Sequence, residues 1–532
     1  MASEDSYVGK PVPKTMSTQH PDNANLPPFS RSEILGGKAE IREAYYAYSE
    51  LGCQEVMWDY EGKAVDPGVL TELLNTYPDY FKDHEFGENI FLTYRLPNPE
   101  IQIHEKKFVL EALESIPRFY DIAKTFYEKE KITPVFEVIL PMTTSAEEII
   151  KIAATYEKIT VGKQNIEISD NISLKDWLGP YNPRSINIIP LIESKEAIID
   201  CAKITEAYHK ATGKKRLRPF IARSDPALNY GVAAAVLLAR LAISELNKLR
   251  QRIDAEIYPI LGTGSLPFRG ALSPEFISEF LQLYAGYHTF TIQSGLKYDY
   301  ETEQTKQIVQ EINSKSGINQ GPVYTHEETE KIKSMIDTFQ KHYQPTVEML
   351  TDLINHIAKF IPKRRARRLH VGLFGYSRTL KGKTLPRAIK FCGALYAIGI
   401  PPEIIGTGRA LYELAQKNQL EDFIRFFPYF PKFITLATRY VSWTNIEQLQ
   451  SNKQINESIT RKFGLQQPLT EIELDIHLLT ELLNIKIGPR KIHPDKKHEL
   501  LTQITLITLA QNDSQAITHI ITDAAKIRKS LG

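Results

Sequence analysis

The sequence predicts an α/β protein, a (β/α)₈ barrel of the TIM type with large additional α-helical regions. Three observations support this fold class. Short apolar or β-branched runs recur along the chain, and amphipathic segments of helical length separate most of them. Polar or charged residues follow almost every run, as the active-site face of such a barrel requires. The stretch 187–231 contains one complete strand–helix–strand unit.

That unit places two carboxylates at one edge of the predicted sheet. Its first apolar run, 188–192, ends in Glu193, and its second, 219–222, ends in Arg223 and Asp225. Because a crossover of this kind joins parallel strands, both carboxylates emerge at the same end. Oxygen ligands placed in this way suit a hard divalent cation such as Mg²⁺, with water or substrate oxygens completing its coordination.

Each carboxylate also has a purely structural explanation. Glu193 could cap the helix that follows it, and Asp225 could anchor a turn before Pro226. Either explanation is sufficient for one residue taken alone. The equivalent positions of the two residues, at the ends of neighbouring strands, favour a shared metal site.

Eight runs supply the strands of the predicted barrel. They are 55–58, 90–94, 134–140, 188–192, 219–222, 257–261, 289–292 and 369–374. The segment 15–18 is a ninth candidate, so one of the nine assignments must be wrong. A long helical insertion is expected at about residues 300–360, between the seventh and eighth runs.

Two regions follow from this pattern. Residues 1–380 comprise an N-terminal segment and the catalytic barrel with its insertion, and residues 381–532 form an α-helical region. We expect the helical region to pack on the barrel and to contribute to an oligomer interface. Its predicted helices are 385–398, 402–416, 420–440, 445–463, 472–483 and 494–529, the last broken near Asn512.

Composition argues against several classes of protein. Lys and Arg total 65 against 64 Asp and Glu, so no global field draws the chain to nucleic acid or to an anionic membrane. Three widely separated cysteines without metal-ligand spacing are typical of a reduced cytoplasmic protein. The N-terminus lacks the apolar core of a signal peptide, and the longest apolar run, 231–239, is too short to span a bilayer. We therefore expect a cytoplasmic protein with no nucleic-acid or membrane partner.

Three segments carry further candidate chemistry. In TMSTQHPDNA (15–24), Pro21 favours an extended backbone at His20, so the imidazole is displayed among polar neighbours. The loop GTGSLPFRG (262–270) can present N–H groups and hydroxyls to an oxyanion, and Arg269 adds a fork of donors. The basic run KRRARR (363–368) is either a solvated face or a phosphate patch. A metal, several arginines and one histidine at a barrel mouth suit a small phosphorylated carboxylate.

Longer motifs resemble one family, the archaeal-type phosphoenolpyruvate carboxylases. The motifs are TMSTQHPDNA, WDYEGKAVDP (58–67), FLTYRLPNP (91–99), IARSDPALNYG (221–231), GTGSLPFRG and IGIPPEIIGTGRAL (398–411). The resemblance runs from about residue 14 to the C-terminus, and TMSTQHPDNA is its most specific part. It implies a barrel enzyme, typically a homotetramer, that joins phosphoenolpyruvate and bicarbonate to give oxaloacetate and phosphate with Mg²⁺ or Mn²⁺, an anaplerotic carbon fixation.

The resemblance also implies roles for individual residues. Bicarbonate would attack the phosphoryl group to form carboxyphosphate and the enolate of pyruvate, and the enolate would then capture CO₂. Glu193 and Asp225 resemble the metal ligands that stabilise the enolate. His20 resembles the histidine that helps to decompose carboxyphosphate, and Arg95 and Arg269 resemble substrate arginines with catalytic roles.

The remaining candidates are predicted to bind substrate. Arg368, with Arg364 or Arg365, resembles the phosphate-binding arginines of the larger branch of the family, and Trp58 resembles a tryptophan near the bicarbonate site. From their places at strand ends and in the glycine loop we add Arg223, Thr263 and Arg378.

Two departures from the larger branch affect phosphate binding. Leu228 stands where that branch has a lysine, and Thr263 stands where it has an arginine, so the contacts to phosphate must be distributed differently. Two other functions remain open: a metal-dependent barrel lyase or phosphotransferase acting on a similar substrate without bicarbonate, and a catalytically inactive scaffold. The first leaves His20 unexplained, and the intact set of carboxylates and arginines disfavours the second.

Overall fold

The computed structural model describes residues 9–61, 68–317, 320–366, 378–380, 383–511 and 513–532. Eight parallel strands close into a barrel, in chain order, so the predicted (β/α)₈ fold is confirmed. The strands are β1 (Thr15–Ser17), β2 (Glu55–Asp59), β3 (Phe91–Arg95), β4 (Glu137–Leu140), β5 (Asn187–Ile192), β6 (Phe220–Ile221), β7 (Ile260–Leu261) and β8 (Thr289–Ile292).

The barrel closes through its N-terminal strand. Met16 of β1 pairs with Thr291 of β8 on one side and with Glu55 of β2 on the other. Thr15–Ser17, the ninth candidate, is therefore one of the eight strands of the barrel. The run 369–374 lies outside the described residues, and the eight strands close without it.

The strands separate two apolar layers. A small cluster from six strands fills the barrel interior, and a much larger one extends into the surrounding helices. The small cluster consists of Met16, Met57, Ile139, Ile189, Leu191, Phe220, Ala222 and Ile260. Because successive side chains point to opposite faces of a strand, Trp58 faces the helices where Met57 faces the interior.

A buried ion network occupies the amino ends of the strands. Arg218 donates to Glu55 Oε2 over 2.7 Å and to Glu137 Oε2 over 2.6 Å, and these three side chains are at most 3% exposed. Glu55 and Glu137 are the first residues of β2 and β4, so the network closes the end of the barrel opposite to the carboxyl ends of the strands.

Helices cover the barrel, and the predicted insertion at 300–360 follows the last strand. The α-helices up to this point are Lys38–Ser49, Val69–Thr76, Pro78–Asp83, Phe108–Tyr127, Ala146–Thr155, Leu174–Leu178, Lys195–Ile199, Cys201–Thr212, Ser224–Tyr230, Val232–Arg250, Ile277–Leu283, Ser294–Asp299, Thr302–Lys315 and His326–Ile357. Short paired strands outside the barrel are Arg216–Leu217 with Glu256–Ile257, Glu167–Ser169 with Ile172–Ser173, and Arg378–Leu380 with Lys383–Leu385.

The predicted helical region 381–532 begins with a strand, Lys383–Leu385, and its described residues from 388 onward are mainly helical. Its α-helices are Ala388–Ala397, Thr407–Gln416, Leu420–Phe426, Phe430–Thr438, Trp443–Ser451, Lys453–Ile455, Gln466–Leu483, His493–Ala510 and Ser514–Arg528. The single helix predicted at 420–440 is two helices, because Pro428 cannot continue the first and Tyr429 turns the chain with φ 66°.

Within the described ranges, no single helix is long and apolar enough to cross a bilayer. One bent pair, Ala388–Ala397 with Pro402–Gln416, meets the length and composition requirement only when its two parts are taken together.

Candidate active site

A cavity of about 120 Å³ lies at the carboxyl ends of the barrel strands. Its walls come from residues of β2, β3, β5, β6 and β8, from the segments that follow β1, β5, β6, β7 and β8, and from the start of the helix Ala388–Ala397. The polar and charged residues of the lining are Gln19, His20, Asp59, Arg95, Glu193, Arg223, Ser224, Asp225, Arg269, Thr291, Gln293 and Arg387. Both signs of charge therefore face one small volume.

The cavity contains the two carboxylates predicted to bind metal. Glu193 directly follows β5, Asp225 lies in the first turn after β6, and both side chains are partly exposed to the cavity. Met142 has a left-handed backbone, φ 54°, and its N–H donates to Glu193 Oε2 over 3.0 Å, which fixes the carboxylate. No group of three or more His, Cys, Asp or Glu that could hold a metal occurs among the described residues. The donor set is thus two hard oxygen ligands, which fits Mg²⁺ or Mn²⁺ with water or substrate in the other positions.

His20 lines the same cavity. Its Nδ1 lies 2.9 Å from Oγ1 of Thr18, and the loop that carries it is held by buried charged groups. Asp22 accepts from Arg269 over 3.0 Å and from the N–H of Gly295 over 2.8 Å. Burial raises the pKa of Asp22 above its ordinary value. The loop is therefore fixed to the segment after β8, and the imidazole projects from it into the cavity.

A second carboxylate holds the end of this loop. Asp299 accepts from the N–H groups of Ala24 and Asn25 over 2.7 and 2.6 Å. Burial raises the pKa of Asp299 to about 7, in spite of these two hydrogen bonds. The loop and the helix Ser294–Asp299 thus form one unit behind the cavity.

Two of the predicted arginines in the cavity already have protein partners. Arg95 forms a bidentate pair with Asp59, at 2.9 and 2.7 Å, and contacts Glu61 at 3.0 Å. The guanidinium of Arg269 donates to Asp22, to Gln293 and to Ser224, and also to the backbone oxygen of Gly532. These contacts position both arginines in the wall.

Arg223 differs from its neighbours. The residue has no exposed surface, its Nε donates to the hydroxyl of Tyr284 over 3.1 Å, and its two terminal nitrogens have no hydrogen-bond partner. A buried cation without a counter-ion is costly, whereas a bidentate oxyanion satisfies both terminal nitrogens. Arg223 lines the cavity together with the carboxylates Glu193 and Asp225.

Four predicted substrate-binding residues do not line the cavity, and their placement argues against direct contact. Trp58 is fully buried on the outer face of β2, and Thr263, in the glycine loop, is fully buried and hydrogen-bonded to Thr291. Arg364 donates to the backbone oxygens of Asn23 and Ala24, and Arg365 is paired with Glu43. Arg368 lies outside the described residues, as does the side chain of Arg378, whose backbone begins a hairpin strand.

The sequence analysis did not single out Arg387, which the structure places in the cavity wall. Its guanidinium lies 3.5 Å from Glu61, and its side chain is 38% exposed. A lone arginine before an apolar helix has no recognisable motif, and only the folding of the C-terminal region against the barrel brings it to the site. The sequence analysis assigned no role to Asp59 or Gln293, which also line the cavity.

The fold and the cavity together define a barrel enzyme for a small anionic substrate, with its site at the carboxyl ends of the strands. Comparison with known proteins identifies the family. The family model described as phosphoenolpyruvate carboxylase matches residues 12–532.

Curated relatives carry the same name. The phosphoenolpyruvate carboxylase of Metallosphaera sedula is 43% identical over 525 residues, 98% of this chain and 100% of the relative. Those of Caldivirga maquilingensis and Picrophilus torridus are 40% and 39% identical, and each alignment covers 98% of this chain and 99% of the relative. The chain belongs to the phosphoenolpyruvate carboxylase family, which confirms the resemblance found in its motifs.

Proposed function

We propose that this protein is a carboxy-lyase that converts phosphoenolpyruvate and bicarbonate to oxaloacetate and phosphate. Family membership over nearly the whole chain supports the reaction. The observation that carries the assignment of the site is that one cavity is lined by Glu193, Asp225, His20 and Arg223, whose two terminal nitrogens have no hydrogen-bond partner. These residues supply metal ligands, a base and an anion-binding group within a volume suited to a small substrate.

Glu193 and Asp225 would hold a divalent cation, Mg²⁺ or Mn²⁺, at the edge of the cavity. When bound, the cation supplies positive charge that stabilises the negative charge developing on the enolate oxygen. The N–H of Met142 orients Glu193 toward this role. Asp59 lies in the same lining, and its two oxygens accept the guanidinium of Arg95.

Arg223 would bind an oxyanion of phosphoenolpyruvate. Its two terminal nitrogens match two oxygens of one phosphate or carboxylate group, and the substrate would supply the missing counter-charge. Arg95 and Arg387 lie at more exposed parts of the wall and would contact the other anionic groups. This arrangement accounts for phosphate binding without cations at positions 228 and 263.

The proposed reaction proceeds in two stages. A bicarbonate oxygen attacks phosphorus, and the bond from phosphorus to the enol oxygen breaks, which leaves carboxyphosphate and the enolate of pyruvate. His20 accepts the carboxyl proton of carboxyphosphate, whose C–O bond to phosphate then breaks to give CO₂. The enolate carbon attacks CO₂ to form oxaloacetate, and the proton on His20 passes to the departing phosphate.

The cellular setting is also a proposal. We propose a cytoplasmic homotetramer, as the family resemblance implies, in which residues 381–532 contribute to the interface and the reaction replenishes oxaloacetate. Exposed apolar residues support an interface there: Leu500, Ile504 and Ile507 form one stripe on the helix His493–Ala510.

The central experiment measures phosphate release and oxaloacetate formation from phosphoenolpyruvate by the purified protein. Both products should appear at equal rates and should require both bicarbonate and Mg²⁺ or Mn²⁺. Phosphate release that continues after exhaustive removal of bicarbonate would favour the alternative, another metal-dependent lyase or phosphotransferase. Absence of turnover with either metal would favour an inactive scaffold.

A variant tests the role of His20. His20→Asn should abolish oxaloacetate formation and leave binding of metal and phosphoenolpyruvate nearly intact, because the change removes the base and no predicted ligand. His326→Asn, at an exposed helix terminus, is the matched control and should retain full activity. Unchanged oxaloacetate formation in His20→Asn would remove the histidine from the mechanism.

A further inference from the structure

We propose that Thr18 is the positioning residue of His20: its side-chain oxygen accepts a hydrogen bond from Nδ1–H and so selects Nε2 as the nitrogen that takes up the proton. This inference rests on the proposed catalytic role of His20. It concerns the neutral form of the imidazole, in which one ring nitrogen is a donor and the other an acceptor.

The contact itself is direct. Thr18 Oγ1 lies 2.9 Å from His20 Nδ1, Thr18 has no exposed surface, and His20 reaches the cavity. The backbone of Thr18 is held on both sides. Its N–H donates to the oxygen of Ile292 at the end of β8 over 3.0 Å, and its carbonyl accepts from Lys297 Nζ over 2.9 Å. The hydroxyl therefore approaches the ring from a fixed position.

A buried ion network supports Thr18 from behind. Lys297 Nζ donates to Glu43 over 2.9 Å as well as to Thr18, and Glu43 also accepts a guanidinium fork from Arg365. The side chains of Lys297, Glu43 and Arg365 are at most 2% exposed. Although burial opposes ionisation, the charges of Arg365 and Lys297 hold the pKa of Glu43 well below its usual range.

This network gives Arg365 a structural place in the site. The sequence analysis predicted that Arg365 binds substrate, but both of its terminal nitrogens donate hydrogen bonds to Glu43. Moving any of these charges away from its partner would leave a buried charge uncompensated, which is strongly unfavourable. The network is therefore well suited to keep the loop in one position. The order of contacts runs from Arg365 through Glu43 and Lys297 to Thr18, and from Thr18 to His20.

The chemistry requires a defined tautomer. A base must present a lone pair to the proton it removes, so the neutral ring must carry its hydrogen on the other nitrogen. With Nδ1–H donating to Thr18, Nε2 takes the carboxyl proton of carboxyphosphate. In the resulting imidazolium both nitrogens are donors, and the Thr18 oxygen still accepts from Nδ1. Passing the Nε2 proton to phosphate restores the starting tautomer.

The test compares Thr18→Val with Thr18→Ser. Valine preserves the shape of the side chain but removes the acceptor, whereas serine keeps it. We expect Thr18→Val to lower kcat for oxaloacetate by about tenfold or more, with KM for phosphoenolpyruvate and metal affinity changed by less than about twofold. Thr18→Ser should recover most of the lost rate.

A spectroscopic measurement separates positioning from packing. Long-range ¹H–¹⁵N spectra, with the His20 signals assigned by their absence in His20→Asn, should show Nδ1–H in the wild-type neutral ring and loss of that preference in Thr18→Val. Wild-type kcat with an unchanged tautomer in Thr18→Val would overturn the proposal, and so would a higher KM without a change in kcat. Failure of the wild-type protein to form oxaloacetate would instead refute the proposed function.

Discussion

Arg218 offers a sharp test of how the barrel is stabilised. Its guanidinium is the shared partner of Glu55 and Glu137 at the amino ends of the strands, and it also donates to Thr289 Oγ1 over 3.3 Å. All three charged side chains are at most 3% exposed. Arg218→Met would fill much of the same volume, remove the cation that Glu55 pairs with, and leave Glu137 with the more distant Arg216, at 3.5 Å.

The expected cost follows from this geometry. Breaking a buried ion pair typically costs about 3–5 kcal/mol, because one charge is left uncompensated, and here two carboxylates lose the same partner. Burial alone would raise the pKa of Glu137, but Arg218 and Arg216 hold it below its ordinary value in the wild type. Without Arg218 the carboxylate of Glu137 should bind a proton more readily, so the cost should be largest near neutral pH and should shrink as the pH falls.

Equilibrium unfolding in urea, followed by circular dichroism and fluorescence, measures the effect. The free energy of unfolding of Arg218→Met should fall by about 3–5 kcal/mol at pH 7. Adding Glu55→Gln should recover part of that loss, since it removes the carboxylate that has lost its cation, whereas Glu137 keeps Arg216 at 3.5 Å. Lys203→Met, which breaks the exposed pair with Asp200, should leave the unfolding midpoint unchanged.

The catalytic activity of Arg218→Met tests whether the ion network is separate from the active site. The network lies at the end of the barrel opposite to the cavity, so kcat per folded molecule should be unchanged in Arg218→Met. A loss of stability below about 1 kcal/mol would refute the reasoning, because the buried carboxylates would then not need their cation. A double variant, Arg218→Met with Glu55→Gln, that is less stable than Arg218→Met alone would refute it as well.

Two further predictions concern the cavity and the loop behind it. Because burial raises the pKa of Asp299 to about 7 from the ordinary 3.8, the folded state binds a proton in this interval that the unfolded state has released. The contribution of Asp299 to the free energy of unfolding should therefore fall as the pH rises from about 4 to 7. In urea unfolding, Asp299→Asn should make the free energy of unfolding depend less on pH over this interval. The same pH dependence in the variant and the wild type would contradict the raised pKa of Asp299. In steady-state kinetics, Arg223→Met should raise KM for phosphoenolpyruvate by about tenfold or more and leave KM for bicarbonate unchanged. The substrate-free protein should not lose stability, because the two terminal nitrogens of Arg223 have no hydrogen-bond partner to lose. Arg223→Lys should recover only part of the affinity, and a change confined to KM for bicarbonate would contradict the role.

The convergence of Glu193, Asp225 and His20 could be predicted because local rules govern it. Parallel strands joined by crossovers present their carboxyl ends together, so residues that follow successive strands must meet at one face. His20 follows β1 in the same way, although its strand was only the ninth candidate. These three residues line one cavity, as the sequence pattern required.

The direction of a side chain on a buried strand was not predictable. In a parallel barrel both faces of a strand are covered, so the run around Trp58 gives no polar alternation to mark the inner face. The register of β2 points Met57 into the barrel and Trp58 toward the helices. The strand that completes the barrel was not predictable either. Thr15–Ser17 pairs with Thr289–Ile292, and a pairing between segments so far apart in the chain leaves no local pattern in the sequence.

By itself, the sequence determined the barrel, the two carboxylates at its mouth and the displayed histidine, because periodicity and chain order encode them locally. Only the tertiary structure decided which arginines face the cavity. Arg365 meets Glu43 and Arg387 reaches the site across more than 300 residues of sequence, and Arg223 is left with two unpartnered nitrogens. The physical reason is that a charge is paired by whatever the packed chain brings beside it, and such neighbours leave no local pattern in the sequence.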